Sequence, residues 1–317
     1  MAARLQVGVL LPTREAVMSG RHEIAPLLAM AEEAEASGYD SVWVGDSILA
    51  RPRFEPLTLL AAVAARTRRV ALGTAVLLPA LRHPVVLAHA VATLDRIAEG
   101  RLILGVGIGT DTPPTRAEFE ACGVPFARRV GVAEETIELC RRLWRSERVT
   151  YQGRHFTLND AALEPKPHRP DGPPIWIGGE AEGALRRTAR LGDGWFPISH
   201  DAQAFSQGLA RIRALMTDCG RDADALRPAF YATVNINADR RQAESELSRF
   251  IEGYYGVRAE VITRRQGCMA GPAEECRDWL NGFIAAGANH LVLRFAGSDQ
   301  MLQLQAAGRD LLPQLGR

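Results

Sequence analysis

The stretch RVALGTAVLLPALRHPVVLAHAVATLDRIAEGRLILGVGIG (69–109) reads as strand, helix, strand. Its first part, RVALGTAVL (69–77), is a short apolar run. In PVVLAHAVATLDRIAE (84–99), Leu87, Val91, Leu94 and Ala98 recur at helical spacing and form one apolar stripe. Gly100 follows as a helix-ending residue. RLILGVGIG (101–109) is apolar until its glycines, as expected of a strand buried on both faces. Such a unit predicts parallel strands joined by a helical crossover.

The same alternation extends outward in both directions. Upstream lie LQVGVLLP (5–12), a helix over 23–37 stopped by Gly38, YDSVWVGD (39–46) and a helix over 56–67. Downstream, helical segments reach about Arg145. VTYQGRHFTLNDAALEPKP (149–167) is short, alternating and turn-punctuated, so it predicts a hairpin. PPIWIGG (173–179), GDGWFPI (192–198), RPAFYATVNIN (227–237) and NHLVLRFAG (289–297) complete eight strand candidates, with an excursion over 256–271 before a helix at 272–286. Eight strands alternating with helices and no linker predict one domain over 1–317, a (β/α)8 TIM barrel. A β-hairpin is inserted before its fifth strand and a lid-like excursion follows its seventh. The competing architecture is an open doubly wound sheet.

Composition narrows the function classes. With 47% hydrophobic residues, 24% charged and a net charge of +1, the chain has ample core and no basic excess, which argues against a nucleic-acid partner. The apolar N-terminal stretch is too short for a membrane span and no cleavage site follows it, so a cytoplasmic location without membrane attachment is expected. The five cysteines are scattered without a C-x-x-C pair and read as reduced. Lys166, the one lysine, stands between prolines, a poor setting for a Schiff base.

In a barrel, ligand groups sit at the C-terminal strand ends. These ends carry Asp46–Ser47, Ala75–Val76, Gly107–Asp111, Gly178–Gly179, Gly194–Trp195, Asn235 and Arg294. Gly178 and Gly179 lie between a strand and a helix N-terminus, where free N–H groups favour an anion, although glycines at such turns also serve geometry alone. GVGIGTDTPP lacks the third glycine of a dinucleotide fingerprint, no Gly-Lys pair supports a phosphate loop, and the histidines show no H-E-x-x-H spacing. No G-x-S-x-G elbow is present. A pocket with glycine-lined anion sites and few acid–base groups suits an organic cofactor that carries the reaction.

SVWVGD, the run LGTAVLLPALRHPVVLAHAVATLDRIAEGRLILGVGIG, PPIWIGG and LGDGWF together resemble the luciferase-like monooxygenase family. The resemblance implies a (β/α)8 barrel using FMN or the deazaflavin coenzyme F420, often paired as a homodimer. It implies that Asp46 lies beside the cofactor ring and that Ala75–Val76 forms a bulge beneath it, where relatives show a cis peptide. Gly107, Ile108, Gly109 and Thr110 would line the ring or ribityl chain, and Gly178, Gly179, Gly194 and Trp195 would hold the phosphate. His83 and Arg294 are candidates for the substrate side; for Arg294 a salt bridge closing the barrel is the structural alternative, and for Asp46 a helix cap. Many deazaflavin-using relatives have Asp-His where this chain has Asp46–Ser47, which ranks reduced FMN first. The resulting expectation is a two-component monooxygenase acting on a small organic molecule with O2, its reduced FMN supplied by a separate flavin reductase. F420-dependent hydride transfer and a non-catalytic flavin-binding protein are the alternatives. The loops 111–126, 148–165 and 256–271 carry no recognised substrate signature.

Overall fold

The computed structural model describes residues 4–316, so Met1–Ala3 and Arg317 of the expected single domain lie outside the described residues. Its strands are β1 (Gln6–Leu10), β2 (Ser41–Val44), β3 (Ala71–Thr74), β4 (Leu102–Val106), β5 (Val149–Gln152), β6 (Thr157–Ala161), β7 (Ile175–Gly178), β8 (Gly194–Phe196), β9 (Arg227–Ile236), β10 (Cys268–Gly271) and β11 (His290–Phe295). The order β9, β11, β1, β2, β3, β4, β7, β8, with β8 pairing back to β9, closes an eight-stranded parallel TIM barrel. β5 and β6 form the antiparallel hairpin expected before the fifth barrel strand.

The excursion over 256–271 follows the seventh barrel strand and holds regular structure that its sequence did not announce. It contains a short helix, Ala259–Thr263, and β10, a ninth strand in the main sheet. The cause lies in β8, which has three residues and stops at Pro197, a residue without an N–H to continue the ladder. The first residues of β9 pair with β8, as Gly194 with Arg227 shows, and its last four pair with β10, from Cys268 with Thr233 to Gly271 with Ile236. Gly267 joins the two halves, donating to the Ile198 carbonyl and accepting from Thr233 N–H.

The barrel interior is filled by Trp43, Trp176, Phe196 and smaller apolar side chains. Trp43 and Trp176 have ring centroids 5.2 Å apart. Facing glycines make the room: a Cβ on Gly73 would stand 2.0 Å from Trp43, and one on Gly194 would stand 2.5 Å from Trp176. His290 packs against both indoles and lies 2.7 Å from Ser41 Oγ through Nε2. Burial, helped by Arg227, pushes its pKa down to about 3, so it is neutral filling at the start of β11.

A second layer of structure covers the other end. The helix Arg240–Tyr255 leaves the end of β9, and its last residues meet Arg14, Arg53 and Arg294, which follow or end β1, β2 and β11. This helix therefore crosses the C-terminal mouth. It is anchored by its own apolar cluster of Ala243, Leu247, Ile251, Ala259, Ala270 and Ala296. Among the described residues no helix is long and apolar enough to cross a membrane.

Candidate active site

Asp46 sits just past β2 with its side chain 1% exposed. Its carboxylate accepts two hydrogen bonds from Arg82, at 2.6 and 3.0 Å, and a third from Leu78 N–H at 2.9 Å. It is neither a helix cap nor a free acid. Ser47 donates to Glu118 Oε1 at 2.8 Å, and the same oxygen accepts from the N–H groups of Ile48, Leu49 and Ala50. Glu118, 1% exposed on the helix Pro113–Ala121, thus gathers the whole loop after β2 around one oxygen.

The β3, β4 and β7 ends converge on Val76. The Ala75–Val76 peptide is cis. A Cβ on Gly107 would stand 2.7 Å from Val76 Cγ2, and one on Gly178 would stand 3.4 Å from Val76 Cγ1. These three positions therefore form one floor. Ile108 packs beside it against a separate apolar cluster, and Gly109 takes φ +76° against Thr115 and Phe119. Thr110 is exposed, next to Asp111, which is held by Arg116. Gly179 has φ +107°, a conformation that favours glycine, and leads into the helix Glu182–Leu191, whose start has no side-chain cap. The Glu180 carboxylate beside it is engaged by Ser199 Oγ.

Gly194 and Trp195, both expected at the phosphate, make packing contacts within the barrel wall. The face of Gly194 is filled by Trp176, two residues below the level at which Phe196 pairs with Gly178. Trp195 is buried, stacks on Phe205 at 5.0 Å and donates from Nε1 to the Gly179 carbonyl at 2.8 Å. It props the glycine loop from behind. His83 also has a structural task, capping the helix Pro84–Ile97 through Val85 N–H and meeting Phe156 edge-on at 5.7 Å.

Arg294 is 2% exposed and makes no salt bridge among the described residues. It donates to Thr233 Oγ1 at 2.9 and 3.1 Å and to the Tyr255 hydroxyl at 3.2 Å, with its guanidinium 4.7 Å from the Tyr254 ring centroid. The same cluster includes residues that the sequence reading passed over. Arg14 lies 4.2 Å over Tyr254, and Arg53 reaches the Tyr254 hydroxyl at 3.4 Å. Glu15 has a solvent-sealed Oε1 without a hydrogen-bond partner, and burial raises its carboxyl above the ordinary range against the pull of Arg294, Arg53 and Arg14. A signal was available for Arg14 and Glu15, since they stand just past LQVGVLLP (5–12), separated from it by Thr13 alone. None was available for Tyr254 and Tyr255, which arrive from the far end of a helix. No group of His, Cys, Asp and Glu able to hold a metal occurs among the described residues.

The closed barrel with an apolar floor, a glycine loop and a polar cluster at its C-terminal mouth defines a cofactor-dependent oxidoreductase site. The chain belongs to the luciferase-like monooxygenase family, whose model matches residues 5–296. It is 29% identical to an F420-dependent glucose-6-phosphate dehydrogenase of Kineococcus radiotolerans, an alignment covering 96% of this chain and 97% of the relative. It is 32% identical to a phthiodiolone/phenolphthiodiolone dimycocerosates ketoreductase of Mycobacterium kansasii, over 69% of this chain and 65% of the relative. Among solved structures, an F420-dependent secondary alcohol dehydrogenase bound to an F420–acetone adduct superposes with a TM-score of 0.84 at 22% identity, covering 99% of this chain and all of that one; this is a likeness of fold. Two of these three are named as F420-dependent dehydrogenases and the third as a ketoreductase, whereas the sequence reading ranked FMN and O2 first.

Proposed function

We propose that this protein is an F420-dependent oxidoreductase that moves hydride between the coenzyme and a small alcohol or carbonyl compound, in place of the FMN monooxygenase first expected. The observation that carries this reading is the end-to-end match to an F420-dependent dehydrogenase. The residues present fit the coenzyme. Val76, Gly107 and Gly178 leave a smooth apolar floor for a planar ring, where a side chain at Gly107 would crowd Val76 and one at Gly178 would rise from the floor in contact with it. Gly179 and the uncapped start of the helix Glu182–Leu191 offer backbone N–H groups for a phosphate. When bound, the deazaflavin supplies or takes up the hydride.

The chain must then hold the proton that accompanies the substrate oxygen. Asp46 is fixed by Arg82 and Leu78, Glu118 by four donors, and Ser47 occupies the position where many relatives place histidine. Glu15 keeps a solvent-sealed oxygen without a partner, and burial raises its proton affinity, so it is the carboxyl assigned to hold that proton. Titration of the purified protein with oxidised F420, followed by its fluorescence, and separately with FMN tests the assignment. F420 is expected to bind at least about tenfold more tightly. Tighter FMN binding, with O2 consumed by the reduced complex, would overturn it.

A further inference from the structure

The mouth of the barrel is apolar at its rim and cationic inside. Nine large hydrophobic side chains are exposed among the described residues, and six of them, Met18, Ile48, Leu49, Ile198, Val257 and Val261, stand on the segments that follow β1, β2, β8 and β9. Their concentration at one end sets this rim apart from the rest of the surface.

Inside the rim, four guanidinium groups gather on two phenol rings. Arg14 lies 4.2 Å and Arg294 4.7 Å from the Tyr254 centroid, Arg53 contacts the Tyr254 hydroxyl, and Arg51 lies 5.5 Å from the Tyr255 centroid. None of the four belongs to an ion pair among the described residues, whereas Arg82, behind them, is matched by Asp46 and Glu55. Glu15 is the carboxyl on which Arg294, Arg53 and Arg14 act, and their positive charges outnumber its one negative charge. Arg294 spends its donors on Thr233 and Tyr255. Arg14 does not, because its Nε and Nη1 are sealed from solvent without partners. Buried donors left unpaired are costly and are satisfied by a ligand that brings an acceptor.

The complement of such a mouth is a molecule with an apolar body and one anionic head. A sugar phosphate would lay hydroxyl groups against Ile48, Leu49, Val257 and Val261, which offer no side-chain partner. The only lysine, Lys166, is committed to the Leu143 and Ser146 carbonyls and brings no charge to the mouth. We propose that the substrate is a carboxylic acid whose apolar body bears the reacting alcohol or carbonyl group, with its carboxylate seated on Arg14 and Arg53 beside Tyr254 and its body against the Ile48–Leu49 and Val257–Val261 rim. That the seated acid is the substrate rests on the hydride-transfer reading; the acid-binding site itself does not.

Calorimetric titration of the full-length protein, with and without F420, tests the site with three probes: 4-phenylbutanoate, 4-phenylbutan-1-ol and glucose 6-phosphate. The acid is expected to bind at least about tenfold more tightly than either other probe, with affinity falling as salt rises. Arg14→Gln and Arg53→Gln should each weaken the acid by about tenfold and leave the alcohol unchanged, while Arg14→Lys, which keeps the charge, should retain most of the affinity. The double variant Ile48→Ser, Leu49→Ser should weaken acid and alcohol alike. Preference for glucose 6-phosphate, or acid binding indifferent to both arginine replacements in folded protein, overturns the proposal. Acid binding without F420 binding would instead remove the coenzyme assignment and leave this site standing.

Discussion

Arg82 donates from both terminal nitrogens to the two carboxylate oxygens of Asp46, at 2.6 and 3.0 Å, at a point where the Asp46 side chain is 1% exposed. A fork-on-carboxylate pair in that position ties the segment after β3 to the end of β2. Removing one partner leaves the other charge buried, which is where such pairs have their largest effect. Arg82→Leu is therefore expected to destabilise the protein by about 3 kcal/mol. Asp46→Asn, which keeps an acceptor for Leu78 N–H, should cost less. Urea denaturation of the two variants against the parent checks the order.

The neutral His290 makes stability depend on acid. Its pKa falls from an ordinary 6.5 to about 3 on folding because the ring is buried against Trp43 and Trp176. The unfolded chain therefore binds a proton that the folded chain refuses between those values. The contribution of this group is complete above pH 6.5 and is lost as pH falls, by up to about 1.4 kcal/mol per unit until about pH 3. A His290→Gln variant should be less stable at pH 7 but show a flatter decline between pH 6 and pH 4. Parallel slopes for the two proteins would contradict the assignment.

Two glycines that look alike in sequence are separated by what surrounds them. Gly194→Ala drives a methyl group to 2.5 Å from Trp176, an overpacking expected to cost about 1–3 kcal/mol with F420 affinity unchanged. Gly179→Asp adds a side chain at φ +107° and a carboxylate where a phosphate is expected, so F420 affinity should fall by at least about tenfold. Thermal unfolding and fluorescence titration of both variants separate the packing role from the binding role. Loss of affinity in Gly194→Ala at intact stability would reverse the placement.

The barrel was legible because parallel strands buried on both faces leave long apolar runs, as RLILGVGIG does, and because its helices carry single stripes such as Leu87, Val91 and Leu94. The floor of the site was legible for a related reason: Val76, Gly107 and Gly178 lie at strand ends, where position alone marks them. Side-chain pairing was not. Nothing adjacent to Asp46 announces Arg82, and nothing near Gly194 announces Trp176, because each contact is made between strands. The ninth strand was hidden for a different reason. CMAG is too short for a period of two to show, and it is extended only because β8 stops at Pro197.

The loop after β2 rests on one side chain from elsewhere in the chain. Glu118 Oε1 accepts from Ser47 Oγ and from the N–H groups of Ile48, Leu49 and Ala50, while Ser47 Oγ in turn accepts from Arg51 N–H. A carboxylate is needed because four donors converge and none of them can turn away without breaking the loop. Glu118→Ala would leave these N–H groups unpaired or admit water to them, at a cost of about 2–3 kcal/mol. The larger consequence is local: Ile48, Leu49 and Arg51 belong to the rim and the cationic cluster, so their placement depends on this oxygen. Amide exchange at residues 48–50 should accelerate by at least about tenfold in Glu118→Ala, with the barrel strands unchanged. Glu118→Gln keeps an acceptor oxygen without the charge and should fall between the two. Exchange at 48–50 that matches the parent in both variants would show that the loop is held by something other than Glu118.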